Sequence, residues 1–491
     1  MRLTKSPISR EFIVPMIVAC ALFMENLDST VISTALPAIA RSLGENPLKL
    51  NLAITCYLLS LGIFIPISGW MADRFGSRTV FSSAIIIFTL GSIGCASVSS
   101  LPGLMIARVI QGMGGAMMVP VGRLVILRTI PKAQLVQAMA YLTVPALLGP
   151  VLGPPLGGFI ATFGSWRWIF LINIPIGILG LTLALMLIPN IKEPRSDSFD
   201  WPGFALVGLG LAGAMFGFET IGRDIIPGIW TAGLVSGGVV LLVFYYLHAR
   251  KAAFPIIDLR LMRIRTFSAA IGGGFLFRMG IGALPFLVPL MLQLGFGLTP
   301  FESGMITFAG AAGAMTMKFT AGPILRRLGF RRTLLWNSLL CAVFMACYGL
   351  FRPETPHLVI ILTLLVGGFF RSLQFTGLNT LAYADIDSPR MSRATTFSSV
   401  AQQLSLSFGV GCGAMLLHFT LLARGQAQLS ANDFWPAFVV VGVLMGLSSI
   451  SFWRMAANAG DEISGRGAHA HPTPDQLAPQ VASHGPGIAA D

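Results

Sequence analysis

Fourteen apolar runs, each long enough to cross a lipid bilayer, follow one another between residues 12 and 454. No other feature constrains the fold as tightly. About 20 consecutive apolar residues span the hydrocarbon core as an α-helix. Lipid offers no partner to a free backbone N–H or C=O, so only helices and closed barrels cross it, and runs of this length select helices. Only 11% of the 491 residues are charged and 54% are hydrophobic, a balance far from that of ordinary soluble domains. The first run is too long for a cleaved signal peptide, and no small-residue cleavage site follows it. The expected class is an all-α membrane protein with 14 transmembrane helices.

A net charge of +13 would suggest a nucleic-acid partner until the charges are placed. With fourteen spans and a cytoplasmic N-terminus, most of the 33 Lys and Arg residues fall on the inner side. This positive-inside asymmetry places both termini in the cytoplasm, and the inner membrane is the expected location. Lipid is then the partner of the positive charge, and no nucleic acid is expected. The six cysteines lie within spans without CxxC spacing, so they read as packing residues. No nucleotide loop, HExxH, GxSxG or metal-ligand cluster occurs, and no enzyme is expected. After Ala457 the chain turns rich in Ala, Pro, Gly and His (His469, His471, His484), the composition of a disordered tail.

A few charges lie inside the apolar runs. The first carries Glu25 and Asp28, one helical turn apart. The fourth carries Arg108, the ninth Arg278, the tenth Lys318 and the twelfth Arg371. Ionisable groups in hydrocarbon cost several kcal/mol, so they face one another or a water-filled path. At ~1.5 Å per residue, Arg108 lies roughly 10 Å from the outer end of its span and Asp28 about 12 Å. Similar depth pairs a carboxylate with a guanidinium. Lys318 stands two turns from the inner end of its helix, where it can snorkel. Glu25 and Arg278 stand at equivalent positions, 253 residues apart, and Arg371 opens RSLQ as Arg108 opens RVIQ. Arg278 and Arg371, with Gln374 and Gln402, are candidates for the wall of a central cavity. Interhelical hydrogen bonding is the competing role for the glutamines.

Three motifs carry a resemblance. The inner loop GWMADRFGSRT holds Gly69, Asp73, Arg74, Gly76 and Arg78, and a weaker copy, GPILRRLGFRR, starts at Gly322 without the acid. Its GxxxDRxGxR spacing resembles the loop signature of the major facilitator superfamily of transporters. The run GPVLGPPLGG, with Gly149, Pro150, Gly153, Pro154, Gly157 and Gly158, resembles the motif of major facilitator exporters that run as antiporters. LDSTVISTALP at Leu27–Pro37 and WRWIFLINIPIG at Trp166–Gly177 resemble two signatures of the fourteen-span drug/proton antiporter family. The resemblance covers residues 12–454.

It implies the major facilitator fold, two six-helix bundles plus two inserted helices. The expected boundaries are a cytoplasmic N-terminus at 1–11, a first bundle at 12–190, a two-helix insertion with linkers at 191–265, a second bundle at 266–456 and a tail at 457–491. It also implies a proton-coupled antiporter that exports small drug-like compounds by alternating access, driven by the proton gradient with no bound cofactor. Asp28 is then the expected proton carrier, Arg108 the residue that tunes it, and Glu25 a second carrier or a contact for a cationic substrate. The Gly69–Arg78 loop is the expected conformational latch. Export of an organic anion, using Arg278 and Arg371, is the rival transport function. A channel or membrane sensor is the alternative from another class. The expected partners are a small-molecule substrate, protons and lipid. The chain is expected to act as a monomer, with accessory efflux proteins as candidate partners.

Overall fold

The structure, a computed structural model, describes residues 10–129, 135–192, 199–220, 226–252, 255–387, 390–425 and 428–460. The expected tail, with its three histidines, lies outside the described residues from position 461 on, and so do the first nine residues. Among the described residues every long element is an α-helix: α1 (Arg10–Leu43), α2 (Asn51–Phe75), α3 (Ser77–Ser97), α4 (Leu101–Thr129), α5 (Leu135–Phe163), the single turn α6 (Trp168–Leu171), α7 (Asn173–Leu187), α8 (Trp201–Thr220), α9 (Gly228–Lys251), α10 (Arg265–Leu290), α11 (Pro300–Leu328), α12 (Phe330–Tyr348), α13 (His357–Leu381), α14 (Met391–Arg424) and α15 (Phe434–Trp453). Each of the fourteen apolar runs falls in one of these helices. The sixth is split at Ile172, whose backbone stays helical. Among the described residues eleven helices are long and apolar enough to cross a membrane. Helices α5, α11 and α12 are not among them: α5 is apolar only over the shorter described stretch Leu148–Phe163, α11 holds Lys318 in a run rich in Gly, Ala and Thr, and α12 opens on Arg331 and Arg332.

Helices α1 to α7 pack on one another, and so do α10 to α15. Helices α8 and α9 pack chiefly together, and α8 rests on α2 and α14. The sets meet where α5 touches α11, α2 touches α14 and α1 touches α10. The apolar core is unequally shared. One cluster joins the second half of α1, from Leu27 to Ala40, to α10–α15. A second holds the first half of α1, from Val14 to Met24, with parts of α2, α3, α4 and α7, and includes no residue of α10–α15. The two sets are therefore fused at the end of the bundle where α1 finishes, and separate at the end where α1 begins.

The repeat seen in sequence recurs in backbone geometry. Gly76 ends α2 and starts α3 at φ 98°, and Gly329 ends α11 and starts α12 at φ 74°. Side chains strongly disfavour these angles, so glycine lets each helix pair turn without a loop. Gly76 also lies against the Asn190 side chain, which bonds Thr79 from the far end of α7. Gly76→Ala is expected to cost about 1–3 kcal/mol from the backbone angle alone. Thermal unfolding in detergent will read it as a lowered Tm, partly restored by adding Asn190→Ala.

Candidate functional site

Asp28 and Arg108 meet in the interior of the first helix set. Arg108 Nη1 donates to Asp28 Oδ2 at 2.5 Å, and both side chains are fully buried. One turn along α4, Gln111 shares the face of Arg108. Its Nε2 donates to Asp28 Oδ1 at 2.8 Å and to Ser92 Oγ at 2.8 Å, while its Oε1 accepts from Arg108 at 2.6 Å. Asn173, the first residue of α7, donates to Asp28 Oδ1 at 3.0 Å and to Ser92 Oγ at 3.2 Å. Arg108 Nε donates to the Ala53 carbonyl of α2 at 3.1 Å, and the guanidinium lies 4.1 Å from the Tyr57 ring centroid. Five helices thus converge on one carboxylate. Two charges removed from water need this completeness, because their attraction offsets desolvation only when the remaining donors and acceptors are used.

Hydrogen-bond counting says what the arrangement can do. Asp28 accepts three bonds and has no donor of its own while ionised. Oδ1 already accepts from Gln111 and Asn173, while Oδ2 accepts from Arg108 alone and keeps a free lone pair, so a proton on Oδ2 would neutralise the charge that holds Arg108. Sequence reasoning found Asp28 and Arg108 but missed Gln111, Ser92, Tyr57 and Asn173. Two of these left a signal. Gln111 closes the RVIQ run, and Asn173 interrupts the apolar WRWIFLINIPIG.

Glu25 is also buried, at 8% exposure, and its Oε2 has no hydrogen-bond partner among the described residues. The charged groups whose fields reach it most strongly are Arg123 and Asp28. It is not joined to Arg278. That arginine, fully buried on α10, donates Nη2 to Asn379 at 2.9 Å and lies 5.6 Å from the Phe375 ring, while Nε and Nη1 have no partner among the described residues. Gln374 departs from its expected place on a cavity wall. It is sealed between α12 and α13, accepting from Asn337 and donating to the Leu334 carbonyl. It echoes Gln111, which ties α4 to α3 in the same way. Arg278 is equally sealed from solvent, whereas Arg371 and Gln402 are half-buried. The side chain of Lys318 lies outside the described residues.

The loop motif ties helix ends. Asp73 accepts from Arg128 at the end of α4 at 2.6 Å, Arg74 lies over the Trp70 ring, and Ser77 N donates to the Ile191 carbonyl at 3.0 Å. Gly69 of the same motif makes no close helix approach. A side chain there would meet nothing within 4 Å.

The glycines of α5 form two seams. Gly149, Gly153 and Gly157, four residues apart, face α1 at Asn26, Thr30 and Val31, where the helix backbones come too close for a side chain. Thr30 and Thr34 donate across this seam to the Gly149 and Pro154 carbonyls at 3.4 Å each. Gly158 faces the other way, against Pro300 and Phe301 of α11, and Gly304 of α11 faces Pro154.

The sequence profile of the Major Facilitator Superfamily matches residues 18–410. The chain belongs to that superfamily. As a major facilitator protein it is 40% identical over 449 residues to a Salmonella heidelberg protein that carries the name multidrug resistance protein MdtD, covering 89% of this chain and 94% of the relative. The namesake from Yersinia enterocolitica is 39% identical over 451 residues, covering 90% and 95%. A crystal structure of a D-xylose-proton symporter shares the fold with a TM-score of 0.67 at 17% identity, covering 92% of this chain and 99% of that one. This major facilitator protein is a membrane transporter, not an enzyme.

Proposed function

We propose that this transporter is a proton-coupled antiporter that exports small amphiphilic, drug-like compounds across the inner membrane by alternating access. The observation that carries the proposal is the fully buried Asp28–Arg108 pair with its ring of neutral donors. Protonating this carboxylate removes the charge that holds Arg108 of α4 against α1, which couples protonation to packing. Asp28 is the proton carrier and Arg108 tunes it. Glu25, with one unpartnered oxygen, is the second carrier or the contact for a cationic substrate. The two relatives' names and the proline–glycine run of α5 support export of drug-like compounds.

In this proposal all fourteen long helices span the membrane. Residues 12–190 and 266–456 form the moving bundles, and α8 and α9, within 191–265, are an insertion between them. The basic ends of α2, α4 and α11 face the cytoplasm together with both termini. The shared core at the opposite end then closes the outer side, which is an inward-facing arrangement. The loop with Asp73, Arg74, Gly76 and Arg78 is the inner latch, held here by Arg128 within its own bundle.

The unpartnered N–H groups of Arg278 favour one second proposal, export of an organic anion that supplies the missing counter-charge. One experiment separates the two. Purified protein in proteoliposomes with a pH-sensitive dye inside is challenged with cationic dyes, neutral drugs and organic acids. Proton movement driven by the cationic and neutral compounds and lost in Asp28→Asn is expected. Movement driven by organic acids alone, and lost in Arg278→Ala, selects the anion. No movement with any compound sinks the proton coupling.

A further inference from the structure

We propose that the junction between the inserted hairpin and the second helix set binds the headgroup phosphate of an anionic phospholipid. A cavity of about 230 Å³ opens there, lined by Ala249, Arg250, Leu259, Arg260 and Arg263. Arg250 belongs to the last turn of α9, and the other two arginines to the single 3-10 turn Leu259–Arg263 that leads into α10. All three are exposed, and among the described residues none pairs with a carboxylate. The acids that stand near in the chain are engaged elsewhere. Asp258 caps the turn through the Arg260 N–H at 3.1 Å and meets Arg393 of α14 at 3.5 Å. Asp200, at the start of α8, is held by His248 at 2.7 Å. Three guanidinium groups are left around one concavity, with forked donors that match a phosphate.

Free phosphate would satisfy the arginines alone. A second feature selects lipid. Helix α9 is the barest of the apolar helices, with only 17% of its apolar window buried. Val239, Val240, Val243, Phe244 and Leu247 stand about half exposed along it and lead to the cavity. This path is a seat for acyl chains that ends at a phosphate site. Tyr246, with Arg250 5.7 Å from its ring centroid, stands where aromatic side chains mark the membrane–water boundary. A lipid bound here bridges α9 to the turn before α10, and so fastens the hairpin to the second set.

The test measures Tm of the purified full chain in mixed micelles with phosphatidylglycerol, with phosphatidylcholine, or with sodium phosphate and no added lipid. Phosphatidylglycerol is expected to raise Tm by several degrees over phosphatidylcholine. That difference should vanish in the variant Arg250→Gln/Arg260→Gln/Arg263→Gln and persist in Lys49→Gln, which removes a cation from the opposite end. An equal rise in the triple variant overturns the proposal. A rise given in full by sodium phosphate overturns the lipid source. Should the triple variant yield no folded protein, native mass spectrometry of the unaltered chain decides. Preferential retention of phosphatidylglycerol over phosphatidylcholine supports the site, and equal retention overturns it.

Discussion

Arg108→Ala is expected to lower the stability of the folded transporter by roughly 3–5 kcal/mol, because it strands the buried Asp28 carboxylate without its counter-charge. Asp28→Asn is expected to behave differently. Asparagine keeps an oxygen to accept from Arg108 but leaves that guanidinium without its counter-charge and turns an amide N–H towards Gln111 and Asn173. The protein should therefore insert with a smaller loss of stability, yet proton-driven export per folded protein in everted vesicles should fall to background. The double variant Asp28→Asn/Arg108→Gln removes both charges and keeps amides in their places. It should recover much of the stability lost in Arg108→Ala without recovering transport. Folded yield by size-exclusion chromatography and export by dye efflux report the two effects separately. Normal export by Asp28→Asn would remove Asp28 from the coupling mechanism. A double variant as unstable as Arg108→Ala would show that the stranded carboxylate is not the source of the loss.

The second large effect is steric. Gly157 lies against the Val31 carbonyl and the Thr34 hydroxyl of α1, so Gly157→Val forces α5 away from α1 at this contact. Overpacking of this kind costs about 1–3 kcal/mol where the core can shift. Here the neighbour is backbone, so the upper end is expected, with a loss of folded protein. Gly304→Val presses on Pro154 instead, across the contact between the two helix sets. Each set keeps its own packing, so folded yield should stay near that of the parent while export falls. A Gly304→Val protein that exports normally would show that this contact need not be tight.

These outcomes bear on what a sequence of this kind discloses. The helices were legible because hydrocarbon leaves a backbone one solution for each long apolar run. The Asp28–Arg108 contact was legible because opposite charges at one depth have few other partners in lipid. Gln111, Ser92 and Asn173 were not. Neutral polar residues in such helices commonly bond their own backbone, as Thr89 and Ser97 do to the carbonyls four residues earlier. Motif position marks Gln111 and Asn173 as unusual, but the sequence does not say which neighbour each reaches across to. Gln374 shows the complementary limit. Span position gives depth but not azimuth, and azimuth turned its amide towards α12 rather than a cavity. Gly69 and Gly76 stand in one motif, but only Gly76 holds a backbone angle that demands glycine.

Two contacts at opposite ends of the molecule answer differently to the ionic medium. Where α5 meets α11, Gly158 and Gly304 set backbone against backbone with no charged side chain between. Dissolved ions have nothing there to screen. At the opposite end the Asp73–Arg128 pair is part-exposed, with Asp73 at 35% and Arg128 at 15%, and lies within reach of a counter-ion atmosphere some 8–10 Å deep. Raising ionic strength therefore weakens the Asp73–Arg128 tie and leaves the Gly158–Gly304 contact as it was.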